Sequence, residues 1–122
     1  MSVADMVDDS SSGITYTGSW QNSNPGGCFN STCHNIQSTG ASAQYTFTGT
    51  GVTFDSIIGP DQGKVDIYID GVADETVNLY NSARSVNEPV YSRYGLTPGS
   101  HAIKIVSDNS SWVTVDAFAV TS

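Results

Sequence analysis

The chain has 122 residues, with four basic against twelve acidic side chains and a net charge of -8 at pH 7. That length supports one domain, residues 1–122, with a modest core. The acidity excludes nucleic-acid phosphates and anionic membranes as expected partners, and no apolar run approaches the length of a bilayer span.

Only 13% of residues are charged, while Ser, Thr, Asn and Gly abound. Secreted all-β proteins and low-complexity linkers share that composition, and the apolar alternation described below excludes the linker. The N-terminus carries no apolar signal-peptide core, so Met1 followed by polar sequence reads as the start of an excised or mature domain. Residues 1–13 form an acidic, Ser-rich N-terminal segment whose apolar anchors are Val3, Met6 and Val7.

Residues 14–20 (ITYTGSW) alternate weakly and are rich in Thr and aromatics, which predicts a first strand. A long loop over residues 21–38 follows and holds both cysteines, Cys28 and Cys33. One adjacent His34 cannot complete a zinc site, and a redox motif would place two residues between the thiols. A short-loop disulfide is the plain reading, and it implies an oxidising, extracellular compartment. Residues 43–48 predict a strand with Tyr45 and Phe47 on one face, and residues 52–58 another after the turn TGTG. Gly59-Pro60-Asp61-Gln62-Gly63 ends it, since proline lacks a donor and glycine permits turn angles.

Residues 64–80 (KVDIYIDGVADETVNLY) are the stretch on which the chain is organised. Val65, Ile67 and Ile69 point one way and Asp66, Tyr68 and Asp70 the other, the period of a half-buried strand. Asp70-Gly71 tolerates the positive φ of a tight hairpin, and Val77 and Leu79 are the inward side chains of the return strand. Two such strands cannot bury one apolar face alone. Residues 81–87 then read as a polar loop and 89–94 as an edge strand, because Pro89 can only start or edge one. The turn LTPG leads into a strand at 101–106, residues 108–111 form a polar loop, and 112–120 make a last strand, apolar on both faces and so central. No helical periodicity is present, and strands at this spacing indicate an all-β antiparallel sandwich or barrel.

If each strand reverses its predecessor, the connections 21–38, 59–63, 81–87 and 107–111 share one end. The tight turns 48–51, 70–71 and 96–100 share the other. Loops at one end of a rigid sandwich are where such scaffolds carry function. That end gathers Trp20, Asn22, His34, Asp61, Gln62, Arg84, Asn87 and Trp112. Indoles among amides, a carboxylate and a guanidinium suit a sugar, whose C–H face stacks on a ring while its hydroxyls pair with planar polar groups. Each residue also has a plainer role: Trp20 as a core plug, Trp112 as packing, Arg84 as a solvated charge, His34 as a partner of the loop backbone. Catalysis is not expected. No nucleophile or metalloprotease motif occurs, and a domain this small rarely encloses a cleft for carboxylates such as Asp61 and Asp108.

Asp116 interrupts the apolar run VTVDAFAV, and Asp5, Asp8 and Asp9 crowd the N-terminus. A buried carboxylate needs a partner. Either a structural calcium ion held by Asp9 and Asp116 or hydrogen bonds to backbone and hydroxyl groups would supply it.

Six segments in order, ITYTGSW, GASAQYTFTGTGVTF, GPDQGKVDIYIDG, TVNLY, VYSRYGLTPGSHAIKIV and VTVDAFAV, cover nearly the whole chain. Together they resemble the galactose-binding-like β-sandwich modules appended to secreted glycoside hydrolases. The resemblance implies a jelly roll, a carbohydrate-binding role and commonly a structural calcium near the termini. No family ligand residue is carried over by motif, and the paired cysteines in residues 21–38 depart from common versions of that loop. The expected function is a secreted, non-catalytic carbohydrate-binding module that holds a covalently linked catalytic domain on a polysaccharide or other glycan. The alternatives are an adhesion or protein-interaction domain and a structural spacer without its own ligand.

Overall fold

The computed structural model describes residues 4–9, 13–23, 33–108 and 111–121. Twelve strands account for it: β1 (Ala4–Asp8), β2 (Ile14–Thr17), β3 (Gln21–Ser23), β4 (Cys33–Ile36), β5 (Ser42–Thr48), β6 (Gly51–Ile58), β7 (Lys64–Ile69), β8 (Val72–Asn78), β9 (Ser85–Arg93), β10 (Ser100–Ser107), β11 (Val113–Val115) and β12 (Ala117–Thr121). They form a four-stranded sheet in the order β1-β12-β6-β9, a five-stranded sheet in the order β2-β5-β10-β7-β8, and a small three-stranded sheet β11-β4-β3. All the strand pairings are antiparallel. The fold is an all-β, jelly-roll-like antiparallel sandwich, as the sequence predicts.

The period-two stripes meet between the sheets. Val65, Ile67, Ile103 and Ile105 of the five-stranded sheet are wholly buried, as are Val52, Phe54 and Phe118 of the four-stranded one. Burying side chains of this size contributes about 1.5–3 kcal/mol each. Tyr45 stacks on Phe118 across the interface with ring centroids 5.8 Å apart, and Phe54 packs on Phe118 at 5.5 Å. Asp70 and Gly71 adopt φ of 52° and 81°, the left-handed pair that a tight hairpin matched to strand twist requires. Pro89 lies in β9, which among the described residues pairs with β6 alone and so edges its sheet.

Four expectations are corrected. The N-terminal segment contains β1, which pairs with β12 from Ala4↔Thr121 to Asp8↔Ala117. The long loop at 21–38 contains β3 and β4, joined to each other and to β11. Asn87 lies inside β9 rather than in a loop. The last strand is broken at Asp116, which sends β11 and β12 into different sheets.

The alternation of ends holds. At the tight-turn end Gly49 N–H donates to Gly99 O (2.9 Å) and Leu96 N–H to Thr50 O (2.9 Å). His101 offers Nδ1 to Asp70 Oδ2 and Nε2 to Thr97 O, each at 2.6 Å. The Thr97 carbonyl and then Asp70 raise the His101 pKa, while the imidazole hydrogen bond lowers that of Asp70. At the opposite end Gly63 N–H donates to Trp112 O (2.8 Å), Trp112 N–H to Asp61 O (3.1 Å) and Asn81 N–H to Gly59 O (3.0 Å).

A register slip between Ile67 and Tyr68 leaves Asp74 as the extra residue of β8, and a bulge of this kind re-aims a side chain. Asp74 reaches β9 of the other sheet, where its carboxylate accepts hydrogen bonds from the Tyr91 hydroxyl and the Arg93 guanidinium. The Tyr91 hydrogen bond holds the Asp74 pKa below the ordinary carboxylate value, and burial followed by Asp74 pushes the Tyr91 phenol up. Asp74→Asn is expected to lower the stability measured by urea unfolding at pH 7 by about 1–3 kcal/mol, because Tyr91 is buried with its charged acceptor gone. The folded pKa of Asp74 lies below its unfolded one, so its contribution is present above the unfolded value and lost as pH falls through the folded value. The gap between parent and variant should therefore close in acid; a gap unchanged there would show that the charge is not the source.

Candidate functional site

Two groups of side chains stand at the loop end. The first is built on the turn between β6 and β7. Gly59 bridges Tyr80 and Gln62 bridges Trp112, so this turn is stitched to the end of β8 and to the residue before β11. Asp61 Oδ1 lies 3.4 Å from Arg84 Nη1, with the two side chains 51% and 44% exposed. An exposed pair of this kind adds little stability. It does leave acceptor and donor positions open to a ligand. Gln62, by contrast, is buried. Its amide donates to Asp61 Oδ1 (3.3 Å) and its carbonyl accepts from Thr114 Oγ1 (3.2 Å), which fixes the turn from below. Trp112 is half-buried, and Tyr80 is 57% exposed.

The second group surrounds β4. His34 Nδ1 lies 2.6 Å from Asp9 Oδ2, and the Asp9 side chain is 1% exposed. The Tyr16 ring stacks on His34 at 4.2 Å, and its hydroxyl donates to Asp9 O at 2.6 Å. Trp20 tilts against Tyr16 at 5.2 Å and gives its indole N–H to Thr17 O (3.0 Å) and Ser42 O (3.1 Å). Its only donor is thus spent on the backbone. Gly18 makes that turn at φ 111°, where an added Cβ would sit 2.9 Å from the Ala41 Cβ. Asn22 pairs with His34 in the β3–β4 ladder. The small sheet connects the two groups, since β11 follows Trp112 and its Val115 pairs with His34.

Among the predicted site residues, Asp61, Gln62, Arg84 and Trp112 come together, and Trp20, Asn22 and His34 form the neighbouring set. Asn87 belongs to β9, whose irregular pairing with β6 reaches Ile58 beside the Asp61 turn. Tyr80 was not among the predicted residues. The alternation Val77 in, Asn78 out, Leu79 in gave its outward direction.

Asp9 and Asp116 are both wholly buried. Asp8 pairs with Ala117, the residue that follows Asp116. Buried carboxylates need a partner or a cation, and His34 supplies a partner on the Asp9 side. Among the described residues no group of three acidic, His or Cys side chains converges. Cys33 is wholly buried in contact with the Ile57 cluster, and among the described residues no cysteine is free. Cys28 lies outside the described residues.

No protein-family model matches the chain. It is 31% identical over 100 residues to the A type blood N-acetyl-alpha-D-galactosamine deacetylase of Flavonifractor plautii, an alignment covering 82% of this chain and 13% of that enzyme. Among solved structures, the cycloisomaltooligosaccharide glucanotransferase of Paenibacillus sp. superposes with a TM-score of 0.75 at 20% identity, over 97% of this chain and 18% of that one. The CBM36-1 domain of a multidomain xylanase from the hindgut metagenome of Trinervitermes trinervoides superposes with a TM-score of 0.66 at 20% identity, over 98% of this chain and 97% of that domain. The chain thus spans a small part of the enzymes it matches, and from end to end it shares the β-sandwich fold of that CBM36-1 domain.

Proposed function

We propose that the chain is a secreted, non-catalytic carbohydrate-binding module that holds a linked catalytic domain on a polysaccharide or other glycan. The observation that carries this reading is the exposed Asp61–Arg84 pair, on a turn bridged to both Trp112 and Tyr80. Carboxylate and guanidinium offer sugar hydroxyls an acceptor and donors, and the aromatic side chains offer a surface for C–H groups. The full-length likeness to a carbohydrate-binding domain supports it, and the enzymes of which the chain spans a part support a linked catalytic domain. In this account Asp61, Arg84 and Trp112 touch the sugar, Gln62 positions Asp61, and Trp20, Asn22, His34 and Asn87 border the site.

The test is affinity electrophoresis through gels cast with soluble neutral polysaccharides, followed by calorimetry on the retarding one. Stacking should supply much of the affinity, because a hydrogen bond exchanged for water nets only about 0.5–1.5 kcal/mol. Trp112→Ala should therefore weaken binding by about tenfold, the equivalent of about 1.4 kcal/mol. Arg84→Ala, at an exposed position that the fold does not need, should weaken it by about threefold. His101→Ala, at the tight-turn end, should leave it unchanged. Folded Trp112→Ala and Arg84→Ala variants that both bind like the parent would move the site elsewhere.

A calcium ion held by Asp9 and Asp116 and a Cys28–Cys33 disulfide complete the proposal. Both would stabilise rather than bind sugar. Exhaustive chelation is expected to lower the melting temperature by about 5 °C or more, and not to do so in Asp116→Ala. Reduction should lower it separately and add about two hydrogens to the intact mass. A melting curve that ignores the chelator removes the calcium ion from the account, and a mass that ignores the reductant removes the oxidising-compartment argument.

A further inference from the structure

At the tight-turn end, residues 95–99 form a short strap that leads from β9 into β10. Gly95 and Gly99 bound it at φ of 75° and 139°, values that glycine adopts without strain. Two backbone hydrogen bonds hold its ends, from Leu96 N–H to Thr50 O and from Gly49 N–H to Gly99 O. Between them Thr97 and Pro98 are exposed, and the Thr97 carbonyl faces His101 Nε2 at 2.6 Å. The β7–β8 turn meets the same imidazole. Asp70, at φ 52°, sits where side chains seldom do. Its Oδ1 accepts from Ala102 N–H (2.8 Å), its Oδ2 lies 2.6 Å from His101 Nδ1, and its own N–H donates to Ala102 O (2.9 Å). One ring therefore joins the strap and the hairpin turn to the start of β10.

The oxygens on either side of that ring, a carbonyl and an ionised carboxylate, are acceptors only. A neutral imidazole carries one N–H, so it answers one oxygen and sets a lone pair against the other. With the ring 10% exposed, little water can relieve that clash. We propose that His101 is a proton-operated clasp: as an imidazolium it closes the strap and the hairpin turn onto β10, and on losing a proton it releases the strap at Thr97. The strap is the side that gives way, because the carboxylate is the stronger acceptor and keeps the remaining N–H. Three elements face the ring: the β7–β8 turn with the charged Asp70, the strap with the Thr97 carbonyl, and β5 with the Phe47 ring at 5.9 Å. The Thr97 carbonyl and then Asp70 raise the His101 pKa above its ordinary 6.5. The clasp therefore stabilises in full below that ordinary value and is lost as pH rises through the folded one. It works at the end remote from Asp61, Arg84 and Trp112, so glycan binding there does not depend on it.

The test follows the imidazole by NMR and the strap by amide hydrogen exchange, corrected for intrinsic rates, from about pH 6 to about pH 9. At the low end both His101 ring nitrogens should carry protons, with a titration midpoint above that of an unfolded-chain histidine. Protection of the Leu96 amide should fall by about threefold or more across the titration, relative to Gly63 at the opposite end. In His101→Gln that fall should vanish. Asp70→Asn, whose side chain also tolerates positive φ, should lower the His101 midpoint, and this readout decides the matter if His101→Gln does not fold. A single ring proton at about pH 6, a midpoint that Asp70→Asn leaves unmoved, or a Leu96 protection that falls equally in His101→Gln would overturn the clasp.

Discussion

β10 is the strand on which the sandwich depends. It pairs with β5 along one edge and β7 along the other, and it turns Ile103 and Ile105 into the core at zero exposure. Antiparallel pairing on both sides fixes three chain directions at once. From that constraint follows the segregation of ends, with short left-handed turns at one and longer polar connections at the other. The same strand exposes Lys104 and carries Ser107 toward the loop end, where it exchanges backbone hydrogen bonds with Gly40 and Ala41.

The loop end is held by backbone more than by side chains. Hydrogen bonds among Asp61, Gly63, Asn81 and Trp112 tie the β6–β7 turn to two distant segments, and buried Gln62 braces it through Thr114. This leaves the side chains of Asp61 and Arg84 each roughly half exposed. The same division explains Trp20. Its indole N–H closes the turn against Ser42, so the residue anchors the frame of the site whatever its ring face touches. At the edges of the sheets the bulge at Asp74 serves a similar end, binding β8 to β9 through Tyr91 and Arg93.

Much of this was legible in the sequence, for a physical reason. Period-two alternation reports burial directly, so residue types alone turn Val65, Ile67, Ile69, Val77 and Leu79 inward and set Asp70-Gly71 at a tight turn. Strand-by-strand reversal then separated the two ends without any distance. What escaped lacked such a signal. β1 (ADMVD) and β4 (CHNI) show no alternation, and their strand character comes from neighbours far along the chain. VTVDAFAV reads as one strand because nothing local says that Asp116 changes sheets. Asn87 reads as a loop residue because β9 begins before Pro89, on irregular pairing with β6 that no composition rule encodes. The partnership of His34 with Asp9 needed the fold to bring residues 25 apart in sequence together. Tyr80 lies on the outward parity, and only the fold shows what surrounds it.

The central claim is that the module binds a glycan at the end where its polar loops gather. A glycan array probed with the parent chain and with an Arg84→Ala, Trp112→Ala double variant tests it most directly. The account predicts signal on at least one class of neutral glycan, reduced by about tenfold or more in the folded double variant. A folded parent that gives a flat array, or a double variant that reproduces the parent's pattern at full strength, would contradict it.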